Sequence, residues 1–174
     1  MKEIIISRDN KITSEILYLF NQKFNEIINS AKIIEDADYI DLALISLDIK
    51  NKKLEYSGAK IPLYLVRKEH QFVVYTYEAD RISIGTDTQK EFTNQFTNLQ
   101  NNDKIYITTD GLINQFGKFG QKKYTRKKLK DFLLSIQDYN MNEQEVLFEQ
   151  EFDLWRGNFE QIDDVLIFGA EIKL

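Results

Sequence analysis

The sequence contains no cysteine and only one histidine, His70, in 174 residues. Without cysteine there is no disulfide framework, no thiolate zinc site and no cysteine nucleophile of the kind used by tyrosine phosphatases. One histidine cannot build a multi-histidine metal site. Because it sits in the polar stretch Lys68-Glu69-His70-Gln71, it reads as a loop residue and not as the base of a Ser-His-Asp triad. A run of about 18 apolar residues, the minimum for a membrane span, is also missing. The opening Met1-Lys2-Glu3-Ile4-Ile5-Ile6-Ser7 is too short and too polar-flanked for a secretory signal, so a cytoplasmic protein is expected. Positive charge is not in excess either: 23 Lys and Arg stand against 28 Asp and Glu, a net charge of -5. Neither nucleic acid nor an anionic membrane would attract such a chain globally. Whatever chemistry is present must run on carboxylates.

What is there supports one substantial core. A hydrophobic content of 43% with 13% aromatics suits a single domain over residues 1–174. Ile16, Leu19, Phe20, Phe24, Ile27 and Ile28 recur at helical spacing, which predicts an amphipathic helix over 13–31 behind a Thr13 cap. From Tyr39 the pattern becomes strand-like, in runs Ile40 to Ile49, Lys53 to Ser57, Leu63 to Arg67 and Phe72 to Tyr77. Short polar turns between them suggest consecutive antiparallel strands. The segment 92–99 is ambiguous, and Lys104 to Thr109 is a further strand. Thr125 to Ile136 reads as a helix, followed by another that has capping-box spacing at Asn142 and Glu145 and stops at Gly157. Phe148, Phe152 and Trp155 on that helix are expected to be core. The closing run Val165 to Phe168 is apolar on both faces and fits a central strand.

Two of these strands carry acidic residues at their ends. Lys104 to Thr109 runs into Asp110-Gly111, and the last strand is entered through Gln161-Ile162-Asp163-Asp164. If the two strands are antiparallel neighbours, Asp110 and Asp163 meet at one end of the sheet, where clustered carboxylates can hold a hard cation such as Mg²⁺ or Mn²⁺. The plainer alternative is that Asp-Gly is a common turn dipeptide and the Asp pair caps a turn. The basic stretch Lys118, Lys122, Lys123, Arg126, Lys127, Lys128 and Lys130 holds no acidic residue. It is either a solvated helix face or a region that attracts a phosphorylated partner.

Several blocks, in order, resemble the stage II sporulation protein E branch of the metal-dependent (PPM-type) protein phosphatases. They are Asp38 to Leu44, Leu54 to Ala59 with Pro62 to Arg67, Ser83-Ile84-Gly85, Asp103 to Leu112 with Gln115-Phe116-Gly117, Trp155-Arg156-Gly157 and Gln161 to Val165. The resemblance implies an α+β fold, a four-layer sandwich of two antiparallel sheets flanked by helices. It implies Asp110 and Asp163 as metal ligands, Asp164 being the less favoured of its pair, with the Gly111 backbone near the site and Mn²⁺ or Mg²⁺ as cofactor. It implies hydrolysis of phosphoserine or phosphothreonine on a signalling protein of the anti-sigma-factor antagonist type. Lys118, Lys122 and Lys123 of the basic stretch, which follows the Asp110 turn, are the candidate substrate contacts if that stretch is not simply a solvated face. The family's early Asp and its Asp-x-x-Gly-His-Gly-like segment have no counterpart before Thr13. Neither Asp9 nor Asp36 has the glycine-rich setting, and Tyr39 stands where Gly is usual. An N-terminally truncated domain is therefore expected, with weak metal binding and weak or absent turnover. The alternative is a non-catalytic phosphatase-like scaffold that binds a signalling partner. Because a sheet left short of its opening strands exposes edges, a homo-oligomer is also expected.

Overall fold

The computed structural model describes residues 12–31, 39–86, 89–117 and 122–174. They fall into two compact units, one within Met1–Leu63 and Tyr77–Leu99, the other within Tyr64–Thr76 and Gln100–Leu174.

In the first unit, helix α1 (Thr13–Ala31) lays Leu17, Phe20 and Phe24 against Ala59, Ile84 and Phe92. The helix lies where expected, but its buried stripe differs: Leu17, outside the expected stripe, is 1% exposed, and Ile27, expected on it, is 57% exposed. Its start differs from expectation. Thr13 is the first helical residue, and its hydroxyl is engaged by Ser57 and Asn94 at 2.8 and 2.7 Å. The Glu55 carboxylate accepts the Thr13 N–H at 2.8 Å, so a strand supplies the cap. Strands β1 (Leu42–Asp48) and β2 (Lys53–Ala59) pair antiparallel from Leu42↔Ala59 to Asp48↔Lys53. The turn between them is closed by the Asp48 carboxylate, which accepts the backbone and side-chain N–H groups of Asn51, bonds that pull its pKa down. The ambiguous 92–99 segment contains strand β5 (Gln95–Asn98), paired with β2 on the side away from β1.

The expected run of consecutive antiparallel neighbours breaks after β2. Strand β3 (Leu63–Lys68) belongs to a second sheet, with β4 (Phe72–Tyr77), β6 (Lys104–Thr108) and β7 (Ile167–Glu171) in the order β4-β3-β6-β7. Three residues make the break. Lys60 adopts a left-handed φ of 60° and turns its N–H to the Asp80 carbonyl. The Ile61 carbonyl is taken by the Tyr56 hydroxyl at 2.6 Å, and Pro62 has no N–H to give a ladder. Both sheets are antiparallel and both have flanking helices, as expected. His70 lies exposed in the β3–β4 connection, also as expected.

In the second unit, helices α3 (Arg126–Ser135) and α4 (Met141–Arg156) close a core of Tyr64, Val66, Tyr106, Leu129, Leu133 and Phe148. Phe152 and Trp155 pack at its margin, the expected structural role. The capping box of α4 sits two residues earlier than the sequence spacing suggested: Asn140 accepts from Asn142 N and Glu143 N, and the Glu143 carboxylate accepts the Asn140 N–H. Asn140 wins because it directly precedes the first helical residue, whereas Asn142 is already inside the first turn. The last strand is also corrected. Among the described residues β7 is an edge strand, not a central one. Ile167 packs into the core, but Leu166 and Phe168 remain 62% and 48% exposed.

Most buried polar groups of this unit are partnered; Thr76 Oγ1, Gln137 Oε1 and Arg156 Nε are the exceptions among the described residues. The Arg67 guanidinium forms a two-pronged pair with Asp103 at 2.9 and 2.7 Å, and that carboxylate is 1% exposed. The Lys104 ammonium donates to the carbonyls of Gln137 and Tyr139, and its burial lowers its pKa. The Tyr106 hydroxyl donates to Gln144 and accepts from Gln137 at 2.7 and 3.0 Å. Burial raises this phenol to about 12.

A folded-state pKa above the unfolded value of about 10 stabilises the fold fully below pH 10, and that contribution drains away as pH climbs toward 12. Urea denaturation at stepped alkaline pH should show stability falling through this window, and absorbance at 295 nm should show a phenol titrating near pH 12 that Tyr106→Phe removes, distinct from Tyr124, which burial and Glu151 push higher still. A Tyr106 phenol ionising near pH 10 would contradict the buried network.

Candidate metal centre

The site forms where β6 ends and β7 begins. Thr108 pairs with Ile167, and one step further the Thr109 N–H donates to the Leu166 carbonyl at 3.1 Å. The Thr109 hydroxyl then bridges the gap: it donates to the Asp164 carbonyl at 2.8 Å and accepts from the Leu166 N–H at 3.0 Å. The antiparallel neighbours inferred from sequence are therefore real, and the segment carrying Asp163 and Asp164 is fastened to the residue before Asp110. The short helix α2 (Asp110–Asn114), which the sequence did not suggest, starts at once. Its Gly111 is required by close approach: a Cβ there would lie 2.3 Å from the Asp164 carbonyl oxygen. Gln115, fully buried, completes the clamp. Its Nε2 donates to the Glu160 carbonyl at 3.0 Å and its Oε1 accepts from Ile162 N at 3.4 Å.

Asp110, Asp163 and Asp164 are all exposed at this junction. One Asp110 oxygen, Oδ2, accepts from Asn114 Nδ2 at 3.0 Å, and Asn114 Oδ1 in turn accepts from the Lys123 ammonium at 3.0 Å. Asp163 Oδ1 accepts its neighbour's N–H, from Asp164, at 2.7 Å. The donor chemistry is all hard oxygen, which suits Mg²⁺ or Mn²⁺ and not a softer ion. Yet among the described residues no group of three or more carboxylate, histidine or cysteine side chains could hold a metal. The fit is to a weakly held cation, not to a closed cage. Lys122 is exposed beside Lys123, whereas Lys128 is used structurally, paired with Glu151 at 2.9 Å and lying over the Tyr124 and Trp155 rings. Lys118, Asp9 and Asp36 lie outside the described residues. Thr109 and Gln115, which build the junction, stand in the sequence only as parts of longer blocks. The one available signal was a buried-type polar residue at the exit of an apolar element.

The fold is that of the PP2C-type metal-dependent phosphatases. The SiaA-PP2C domain of Pseudomonas aeruginosa superposes with a TM-score of 0.86 at 22% identity, covering 99% of this chain and 65% of that one. The phosphatase domain with a regulatory fragment of SpoIIE from Bacillus subtilis gives 0.67 at 16%, covering 99% and 48%. The catalytic domain of the serine threonine protein phosphatase PstP, in complex with 2 manganese ions, gives 0.64 at 12%, covering 99% and 77%. The chain thus spans just under two thirds of the SiaA domain's length and about half of the SpoIIE chain's. The sequence profile of the Stage II sporulation protein E (SpoIIE) family matches residues 3–173, and the chain belongs to that family. Curated proteins gave no match.

The weak points of the junction are Gly111, which admits no side chain, and the Thr109 hydroxyl. Gly111→Ala should cost about 1–3 kcal/mol, since the Asp164 carbonyl must move. Thr109→Val should cost about 1–2 kcal/mol by orphaning the Leu166 N–H. Chemical denaturation measures both; a neutral Gly111→Ala would mean that the 161–165 segment is free to retreat.

Proposed function

We propose that the chain is a cytoplasmic, metal-dependent phosphoserine/phosphothreonine phosphatase domain whose own turnover is marginal, acting on a regulatory protein of the anti-sigma-factor antagonist type. The observation that carries this reading is the fastening of the Asp163-Asp164 segment to the Asp110 turn in a member of the SpoIIE family. Asp110 and Asp163 are the metal ligands in this reading, with Asp164 a lesser candidate and the Gly111 backbone alongside. Mn²⁺ is favoured as cofactor by the manganese-bound PstP relative, with Mg²⁺ as the alternative.

A bound divalent cation would supply an acidic water and positive charge for the phosphoryl oxygens. The protein's own part is orientation. Asn114 fixes the Asp110 carboxylate by one oxygen and leaves the other open, and Lys123, held by Asn114, adds a cation beside it. Exposed Lys122 extends that positive margin toward an incoming phosphoprotein, and Lys118, outside the described residues, is a further candidate contact by sequence alone. A second reading is favoured by the lack, among the described residues, of a third metal-capable side chain: a scaffold that binds the phosphorylated partner without hydrolysing it.

Calorimetric titration with Mn²⁺ should give weak binding, reduced by about 10-fold in Asp110→Asn and in Asp163→Asn and much less in Asp164→Asn. Release of phosphate from a phosphoserine peptide with Mn²⁺ should be slow and little altered by Asp110→Asn, because there is little transition-state stabilisation to lose. Fast turnover abolished by Asp110→Asn would show a complete site; peptide binding with no release at any Mn²⁺ concentration would establish the scaffold reading.

A further inference from the structure

A groove of about 550 Å³ runs between helix α4 and strand β7. One wall is the free edge of β7. The bonds Thr109 N to Leu166 O and Ile172 N to Asp103 O fix which residues of the strand face β6. By the two-residue alternation of an antiparallel ladder, Phe168 and Ala170 also face β6. The N–H and C=O groups of Ile167, Gly169 and Glu171 therefore point away from the sheet. Among the described residues none of them has a partner on that side. An edge of this kind is a template for one more strand.

The other wall comes from α4, and it defines what such a strand must carry. Phe148 and Phe152 give the groove an apolar floor. Glu145 and Glu149, one helical turn apart and both exposed, stand along its rim. No Lys or Arg lines it, and neither glutamate has an ion pair among the described residues. Gly169 faces α4 with no side chain to spare: a Cβ there would meet Met141 at 2.7 Å, so the floor is already closed beneath the strand and the open space lies beside it.

We propose that this groove docks an extended segment of a partner protein, added to β7 as a strand and alternating apolar residues with Lys or Arg. Main-chain bonds to Ile167, Gly169 and Glu171 give the register, and the apolar side chains enter between α4 and β7. The cationic ones meet Glu145 and Glu149. Charge argues against a second copy of this chain as the occupant: the strand it would offer is bracketed by Asp163, Asp164 and Glu171, which would face the same two glutamates. The groove ends at Gln161 and Val165, flanking Asp163 and Asp164, so a segment bound here lies beside the candidate metal centre. The inference does not depend on hydrolysis taking place there.

The probe is a fluorescent, acetylated peptide of about eight residues alternating valine and lysine, compared with the valine-glutamate analogue and with a version N-methylated at alternate residues. Anisotropy should show micromolar binding of the lysine peptide only. Binding should fall by about 10-fold or more in the Glu145→Lys/Glu149→Lys double variant, whose substituted positions are exposed and leave the core intact. N-methylation should cost at least as much, since it removes the strand's donors without altering the protein. Undiminished binding of the N-methylated peptide, or of the lysine peptide to the double variant, overturns the proposal, as does equal affinity for the glutamate analogue. Light scattering that finds a dimer dispersed by Leu166→Glu would assign the edge to a second copy and overturn it as well.

Discussion

The hydroxyl of Thr109 is the interaction on which the candidate centre depends. It gives one hydrogen bond to the Asp164 carbonyl and takes one from the Leu166 N–H, at the point where the β6–β7 ladder would otherwise fray. Neither candidate ligand side chain contributes to that junction. The carboxylates are carried there by backbone geometry and stay exposed, each with one oxygen engaged and one open, so that solvent screens the repulsion between like charges. Gly111 lets the helix begin against the Asp164 carbonyl, and Gln115 ties the loop before Asp163 to the same helix. These three uncharged residues define a place for acidic ones.

That place is only as definite as the register of β6, and the strand is pinned at both ends. At its start, Asp103 takes the Arg67 fork and the Gln100 N–H, while Lys104 is held by two carbonyls after α3. In its middle, Tyr106 sits between Gln137 and Gln144. A slip of one residue would turn every one of these polar groups to the wrong face and strand them unpartnered, at a cost well beyond that of an apolar misfit. The buried polar groups therefore act on the site at a distance, by leaving β6 a single alignment and Asp110 a single exit.

The elements that sequence made legible are those in which one local signal dominates. The extent of α1, the Gly157 stop and the run from Lys104 to Thr109 followed by Asp-Gly all correspond to what is observed. What was not legible involved competition between signals. Pro62 and the left-handed Lys60 divert β3 to another sheet, but a short polar linker between two strand-like runs reads equally well as a hairpin. Two Asn-x-x-Glu pairs lie within six residues, and only the position of the first helical turn tells Asn140 from Asn142. The apolar faces of the last strand suggested burial on both sides, whereas Leu166 and Phe168 stay half-exposed at an edge. At the site, Asp110 and Asp163 were visible because acids at strand ends are conspicuous. Thr109 and Gln115 were hidden because a hydroxyl and an amide announce nothing until their partners are near.

The chain Asp110–Asn114–Lys123 has a further consequence for the chemistry of the junction. An ionised carboxylate offers about four lone-pair directions, and Asn114 takes one of those on Oδ2. The side chain loses its rotational freedom, yet Oδ1 keeps its capacity to accept, so ordering the group does not exhaust it. Lys123 reaches Asn114 and not Asp110 itself. Had the ammonium paired directly with the carboxylate, it would have competed with any cation for the same oxygens. Interposing a neutral amide keeps the positive charge nearby without an ammonium occupying the carboxylate oxygens. An amide between an acid and a base lets both charges stand on one small surface without either neutralising the other.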